Sequence, residues 1–120
     1  MATLPNANQA IVPLEKLRDY SLSPVNAEGM HKARVFAAAL GLRQGDAEWL
    51  QRAILESVTQ APCRPGPPSQ YGAKHVVDMI LSHAGKEARI RTAWLVPKGQ
   101  EVPRLVSAYV LPSKAWERVR

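Results

Sequence analysis

The segment 71–112 most constrains the fold, because it predicts three β-strands joined by two short turns. The runs 74–82, 88–96 and 102–111 are rich in Val, Ile, Leu, Trp and Tyr, which favour extended backbone. The turn segments between them, HAGKE and PKGQE, each contain a glycine that can adopt a positive φ angle. Connections this short allow only antiparallel pairing between neighbouring strands. The segment therefore predicts an antiparallel meander.

Side-chain alternation then divides the predicted sheet into two faces. One face collects the apolar set, which is Val77, Met79, Leu81, Ile90, Trp94 and Val96 together with His75. The opposite face collects Lys74, Asp78, Arg89 and Arg91, and a tight second turn would add Ser107 and Tyr109. One face is then core and the other cationic, although a slip of one residue in the register would exchange them.

The first half of the chain predicts three helices that cover the apolar face. A short helix over 13–22 begins with Pro13 in its first turn and ends before Pro24. A second helix is predicted over 27–40, with Gly41 as its stop, and a third over 46–59, with Asp46 as its cap. The segment 61–70 holds four prolines and a glycine, which predicts a stiff, irregular connector.

The predicted fold class is α+β, with N-terminal helices packed on one face of a three- or four-stranded antiparallel sheet. We expect one domain over 1–120, made of a helical half (13–60), the proline-rich connector (61–70) and the meander (71–112). Neither half alone could close a core. The tail, 113–120, is predicted to add a helical turn or a strand extension.

The chain is basic, with 16 Lys and Arg against 10 Asp and Glu and a formal net charge of +6. This balance favours an anionic partner such as RNA or an acidic protein. No apolar run approaches the ~20 residues of a membrane span, and the N-terminus lacks the layout of a signal peptide. The single cysteine, Cys63, cannot form an internal disulfide. We therefore expect no membrane contact and action in the cytoplasm.

Metal and cofactor chemistry is not predicted. The three histidines, His31, His75 and His83, have no paired ligand spacing and no accompanying carboxylate cluster. The glycines form no phosphate-binding loop of the known types. Cys63 has no neighbouring base in the sequence, so a nucleophilic role is not predicted for it.

The polar side chains of the predicted strands suit the metal-independent cleavage of RNA. In that reaction a base removes the 2′-hydroxyl proton, a cationic side chain stabilises the phosphorane, and an acid protonates the leaving 5′-oxygen. The candidate catalytic residues are His75, Arg91, Tyr109 and Lys74, and the candidate substrate-binding residues are Arg89, Arg104, Thr92 and Ser107.

His75 has the unperturbed pKa best suited to both proton transfers, but alternation places it opposite Lys74 and Arg91. Either its ring turns outward near the start of the strand, or it is structural and Tyr109 carries the proton. Strand arginines and lysines also occur commonly as a solvated face without any catalytic role.

Four segments carry a resemblance to known domains: LPNANQAIVPLEKLRDYSLSP, GMHKARVFAAALG, YGAKHVVDMILSHAGKEARIRTAWLV and PRLVSAYVLP. They cover roughly residues 4–112 and resemble a family of uncharacterised bacterial toxin-associated domains. The resemblance implies a fold similar to the small ribonuclease toxins of barnase, EndoU and RelE type, with helices followed by an antiparallel sheet. The positions marked by the resemblance are Lys32, Phe36, Tyr71, Lys74, His75, Arg91, Thr92, Trp94, Arg104, Ser107 and Tyr109.

The chain departs from the family phrases at three places. His31 stands where glycine is expected, Ser107 where threonine is usual, and HAGKE where a proline–glycine hairpin is expected. The resemblance implies a ribonuclease-type toxin domain that acts on RNA in a cytoplasm, its own or that of a target cell, without a metal. The alternatives are a non-catalytic module that docks an acidic antitoxin or immunity protein, and an accessory protein of a mobile element.

Overall fold

The computed structural model describes residues 2–112, and it confirms the predicted α+β class. Helices occupy the first half of this range and a four-stranded antiparallel sheet the second. The predicted tail elements in 113–120 lie outside the described residues. The helices are α1 (Leu14–Lys16), which runs on into a π-helical turn (Leu17–Ser21), α2 (Met30–Leu40) and α3 (Ala47–Val58). The strands are β1 (Cys63–Pro65), β2 (Gly72–His83), β3 (Lys86–Pro97) and β4 (Arg104–Val110).

The starts of α2 and α3 differ from the sequence expectation, because side chains cap the preceding turns. Asn26 Oδ1 accepts hydrogen bonds from the backbone N–H groups of Glu28 and Gly29, so residues 26–29 form a turn and α2 begins three residues later than predicted. The Asp46 carboxylate accepts from the Arg43 N–H, which closes a 3₁₀ turn ahead of α3 instead of capping α3 itself. The predicted stop of α2 at Gly41 is confirmed by its φ of 67°.

The sheet order is β1-β2-β3-β4, with every neighbouring pair antiparallel. The connector 61–70 is therefore not wholly irregular, contrary to expectation. Cys63–Pro65 pairs with β2, since the proline at its end does not need to donate to the ladder on an edge strand. The β2–β3 turn uses Ala84 and Gly85, both with positive φ, which suits a two-residue hairpin whose twist matches the strands.

The helices pack on one face of the sheet and enclose the core. Phe36 and Leu40 of α2 and Ile54 of α3 are fully buried against the sheet, as are Ile90 and Trp94 of β3. The predicted division of the strands into an apolar and a polar face is confirmed by the register, which aligns the apolar positions of β2, β3 and β4. None of the helices in 2–112 is long and apolar enough to cross a membrane.

Strand β4 is modified in two ways that matter for the candidate site. The N-terminal segment lies along its start, where Ile11 N–H donates to the Pro103 carbonyl and Leu105 N–H donates to the Ile11 carbonyl. The register then shifts by one residue, because Ala93 pairs with Ser107 while Trp94 pairs with Leu105. Val106 is the extra residue of this β-bulge, and bulges of this kind re-aim the neighbouring side chains.

Candidate functional site

The sheet has one side that is free of helices among residues 2–112, and we call it the outer sheet face. The register fixes its members, since paired residues on adjacent strands point to the same side. They are Arg64 of β1; Lys74, Val76, Asp78, Ile80 and Ser82 of β2; Glu87, Arg89, Arg91, Ala93 and Leu95 of β3; and Arg104, Ser107 and Tyr109 of β4. Five of these side chains are cationic and two are carboxylates, so this face carries a net positive charge.

A row of three polar residues crosses the middle of the outer sheet face. Asp78, Arg91 and Tyr109 are direct partners on β2, β3 and β4, and we call them the Asp78 row. Arg91 donates two hydrogen bonds to Asp78, from Nε to Oδ1 at 2.9 Å and from Nη2 to Oδ2 at 3.0 Å. A guanidinium has five N–H donors, so this fork leaves donors of Arg91 free for a ligand. The fork also holds the guanidinium plane in a fixed orientation.

The ion pair between Asp78 and Arg91 favours the charged form of both side chains. Burial alone would raise the pKa of the Asp78 carboxyl, but the hydrogen bonds and charges of Arg91 and Arg64 outweigh it and hold this pKa below its ordinary value. The hydrogen bond to Asp78 raises the pKa of Arg91, and Tyr109 adds a smaller contribution. Arg64 Nη1 lies 3.4 Å from Asp78 Oδ2. Two guanidiniums therefore share one carboxylate, and the cluster retains a net positive charge.

Lys32 of α2 reaches the same place from the helical layer. Its Nζ lies 5.5 Å from the centre of the Tyr109 ring and 6.0 Å from the centre of the Tyr20 ring. Both distances fall within the range of cation–π attraction. The hydroxyl of Tyr20 donates to the carboxylate of Glu28, which fixes the Tyr20 ring. Lys32 is thus held between two aromatic rings at the β4 edge of the sheet.

A cavity of about 310 Å³ opens beside Tyr109, between the π-helical turn and the bulge of β4, and we call it the β4 cavity. The close approach of two backbone segments shapes it, since a side chain at Gly29 would collide with the Tyr20 carbonyl. Only glycine lets the turn before α2 pass so near to the π-helical turn. The cavity is lined by Lys16, Tyr20, Ser21, Lys32, Val106 and Ser107.

The structure brings some of the sequence-predicted site residues together and separates others. Arg91 and Tyr109 are adjacent, and Ser107 lies two residues from Tyr109 on the same face. Lys74 and Arg104 are on the outer sheet face but flank Leu95, four residues or about 13 Å along the sheet from the Asp78 row.

Arg89 lies nearer to the row, two residues from Arg91 on the same strand. Its Nε is buried and has no hydrogen-bond partner within the described part of the chain.

His75 and Thr92 lie on the opposite, core side of the sheet. Thr92 is fully buried, donates from Oγ1 to the Val77 carbonyl at 2.7 Å and accepts from Trp94 Nε1 at 2.8 Å. His75 is half-buried, and its Nδ1 lies 3.6 Å from the Sγ of Cys63 on β1. Burial raises the pKa of the Cys63 thiol, which disfavours the thiolate. Neither His75 nor Thr92 reaches the Asp78 row.

Sequence reasoning missed four residues of this site. Asp78 was placed on the right face, but its pairing with Arg91 needs the exact register. Arg64 lies in the proline-rich connector, and nothing in the sequence around it indicates that this segment forms an edge strand. Lys16 and Tyr20 belong to the first helix, and nothing local indicates that its π-helical turn meets β4. No cluster of three potential metal ligands of the His, Cys, Asp or Glu type occurs within 2–112.

Fold and site together define an α+β domain with a cationic cluster on an open antiparallel sheet. The chain belongs to the family DUF6883, a domain of unknown function, and the match spans residues 3–112. Its fold is similar to that of a solved chain from a contact-dependent growth inhibition toxin–immunity protein complex of Klebsiella pneumoniae 342. That similarity has a TM-score of 0.65 at 13% sequence identity, and it covers 89% of this chain and 97% of the other. No curated protein matches the chain.

Proposed function

We propose that this domain is a toxin-type ribonuclease that cleaves RNA without a metal ion, at the end of the Asp78 row nearest to β4. The observation that carries the proposal is the convergence of Arg91, Tyr109 and Lys32 from three elements onto one edge of an open, basic face. A guanidinium with free donors, a phenol and an ammonium group are the side-chain types that metal-independent phosphoryl transfer uses.

The reaction would be an internal transesterification. The 2′-oxygen attacks the adjacent phosphorus and loses its proton to solvent water. The bond from phosphorus to the 5′-oxygen breaks, and the products are a 2′,3′-cyclic phosphate and a 5′-hydroxyl. Charge accumulates on the phosphoryl oxygens and on the leaving 5′-oxygen during this step, so pre-positioned cations and a proton donor accelerate it.

The residues of the site divide these tasks. Arg91 binds the scissile phosphate through the donors that Asp78 leaves free, and Asp78 positions it. Tyr109 donates a proton to the leaving oxygen, and Lys32, over its ring, supplies positive charge. Arg89 binds the flanking backbone. His75 has no place in this scheme, since it lies on the other side of the sheet.

Lys74 and Arg104 are too far from Arg91 to act on the same phosphate, because about 13 Å separates them along the strands. Both side chains are exposed. They would instead bind the backbone of a longer RNA where it continues across the outer sheet face, as exposed lysines and arginines do in sequence-independent binding.

The fold similarity supports a toxin-associated role. The similar chain comes from a complex between a growth-inhibition toxin and its immunity protein, which supports a role in a toxin–immunity pair with a protein partner. By analogy, an acidic immunity or antitoxin protein would neutralise this domain by covering its basic face. RNA as the substrate places the action in a cytoplasm, either of the producing cell or of a target cell.

A second candidate function is a non-catalytic module that docks an acidic protein partner. The observation that favours it is the exposure of Ile80, which is 47% accessible on the outer sheet face, with Arg89 as its partner on β3 and Asp78 two residues away on β2. An exposed apolar residue with a charged rim is a common feature of protein interfaces.

The test is cleavage of total RNA by the purified protein in EDTA. Tyr109→Phe and Arg91→Ala are expected to keep the far-ultraviolet circular dichroism of the wild type and to lower the cleavage rate by about 10²-fold, the usual scale for one acid–base group. Arg52→Ala removes a matched charge from the exposed side of α3 and is expected to leave the rate unchanged. If the wild-type protein leaves RNA intact, yet binds an acidic partner in a salt-sensitive way, the ribonuclease proposal is wrong and the docking module is favoured.

A further inference from the structure

Apart from Lys32, the side chains that line the β4 cavity take no part in the proposed cleavage step. Two lysines, Lys16 and Lys32, and two serines, Ser21 and Ser107, are among the residues that line it. None of the lining residues carries a carboxylate, and the carboxylate of Glu28 is engaged by the hydroxyl of Tyr20, which donates to it. A small cavity with two cations and hydroxyl donors fits an oxyanion such as a phosphate group.

Strand β4 connects the cavity to the proposed cleavage site, because it contributes a residue to each. Ser107 lines the cavity, and Tyr109 follows two residues later on the same face, which corresponds to about 7 Å along a strand. That is close to the separation of neighbouring phosphates in an extended single strand. Lys32 joins the two places, because it lines the cavity and also lies over the Tyr109 ring.

Two irregularities of the backbone build the cavity wall. Val106, the extra residue of the bulge, and Ser107 line one side of the cavity. Lys16, at the end of α1, and Tyr20 and Ser21 of the π-helical turn line the opposite side. Bulges and π-helical turns both concentrate at functional sites. The volume of about 310 Å³ is near the lower end of ligand-binding pockets, so it suits one phosphate with part of its sugar more than a larger ligand.

We propose that the β4 cavity is a second phosphate-binding subsite, which holds the phosphate adjacent to the scissile one in single-stranded RNA. The inference rests on the proposed function for the identity of the ligand. Lys16 and Lys32 neutralise the bound phosphate, and the fixed ring of Tyr20 offers an aromatic surface beside it, of the kind on which bases stack without sequence preference. The substrate class is therefore a single strand with at least two consecutive phosphates, because a duplex could not bend into the cavity.

The test separates binding from cleavage by using 2′-deoxy oligonucleotides, which lack the attacking hydroxyl. A dinucleotide with one phosphate and a trinucleotide with two are titrated into the protein and followed by NMR chemical shifts. The trinucleotide is expected to bind more tightly. Lys16→Gln is expected to abolish that advantage, to leave dinucleotide binding unchanged, and to reduce the slope of log K against log salt by about 0.7, the value for one phosphate of a single strand.

Lys86→Gln is the matched control, since Lys86 is an exposed lysine whose Nζ donates to the Ala38 carbonyl at the far hairpin. It is expected to bind both oligonucleotides as the wild type does. Equal dinucleotide and trinucleotide affinities in the wild type, or equal losses in the two lysine variants, overturn the subsite. If the wild type cleaves no RNA but the trinucleotide advantage still depends on Lys16, the subsite stands and the catalytic proposal fails.

Discussion

Replacing Thr92 with valine tests whether its hydroxyl is part of the core. The side chain is fully buried, and Oγ1 both donates to the Val77 carbonyl and accepts from Trp94 Nε1. Valine keeps the shape of threonine but removes the oxygen, so the buried indole N–H loses its acceptor. An unsatisfied buried donor costs about 1–3 kcal/mol and the second lost hydrogen bond about 0.5–1.5 kcal/mol. We expect Thr92→Val to lower the free energy of unfolding by about 2–4 kcal/mol.

Thr92→Ser is the matched control, because it retains the hydroxyl and loses one methyl group. Its expected cost is about 1 kcal/mol. Both values come from urea denaturation followed by circular dichroism, with an unchanged m-value as the check that the denatured state is the same. A loss in Thr92→Val equal to or smaller than that in Thr92→Ser would refute the reasoning. The hydroxyl would then be dispensable to the core.

Three further predictions concern the frame of the site. Gly29→Ala is expected to lower the thermal midpoint of unfolding more than Gly45→Ala does. A Cβ added at Gly29 collides with the Tyr20 carbonyl, whereas one added at Gly45 meets nothing within 4 Å. Equal midpoints in the two variants would contradict the close approach of Gly29 to Tyr20. The pKa of Asp78 is below its ordinary value of 3.8, so its ion pair stabilises the fold above that pH and loses its effect as the pH falls further. Acid titration of Asp78→Asn should therefore show a shallower loss of stability in that range than the wild type, and parallel curves would contradict it. His75→Ala is expected to retain the RNA cleavage rate while denaturing at lower urea concentration, and a rate lowered by 10²-fold with unchanged stability would restore the histidine as acid or base.

The sheet could be predicted largely from the sequence, because the features that specify it, alternation along each strand and short turns between strands, are local. Alternation in β2 and β3 assigns each residue to a face, and two short turns align the strands, so Arg91 and Tyr109 were expected on the same side. The same alternation placed His75 on the core side, which the structure confirms as its position. The assignment of His75 to catalysis rested on its unperturbed pKa, on its place in adjacent strands and on the family phrase that contains it, and none of these says which side of the sheet the ring occupies.

Strand β1 and the contacts of α2 could not be predicted, because they depend on packing between distant segments. Strand β1 has three residues, one of them a proline, which is too few to show a period, so the pairing of Cys63 with Val77 leaves no local signal. The contact between Lys32 and Tyr109 requires the packing of α2 against the edge of β4. The β4 cavity needs a bulge and a π-helical turn, both of which are irregular in ways that hydrophobic periodicity does not encode.

The most direct test of the account is the chemistry of the RNA ends that the protein produces in EDTA. Transesterification at the Asp78 row predicts a 2′,3′-cyclic phosphate on one fragment and a 5′-hydroxyl on the other, detected by mass spectrometry of a short defined RNA. A single 2′-deoxy substitution at the cleaved position should block the reaction, since the attacking oxygen is absent. Intact RNA, or fragments that carry a 3′-hydroxyl and a 5′-phosphate, would contradict the proposed function.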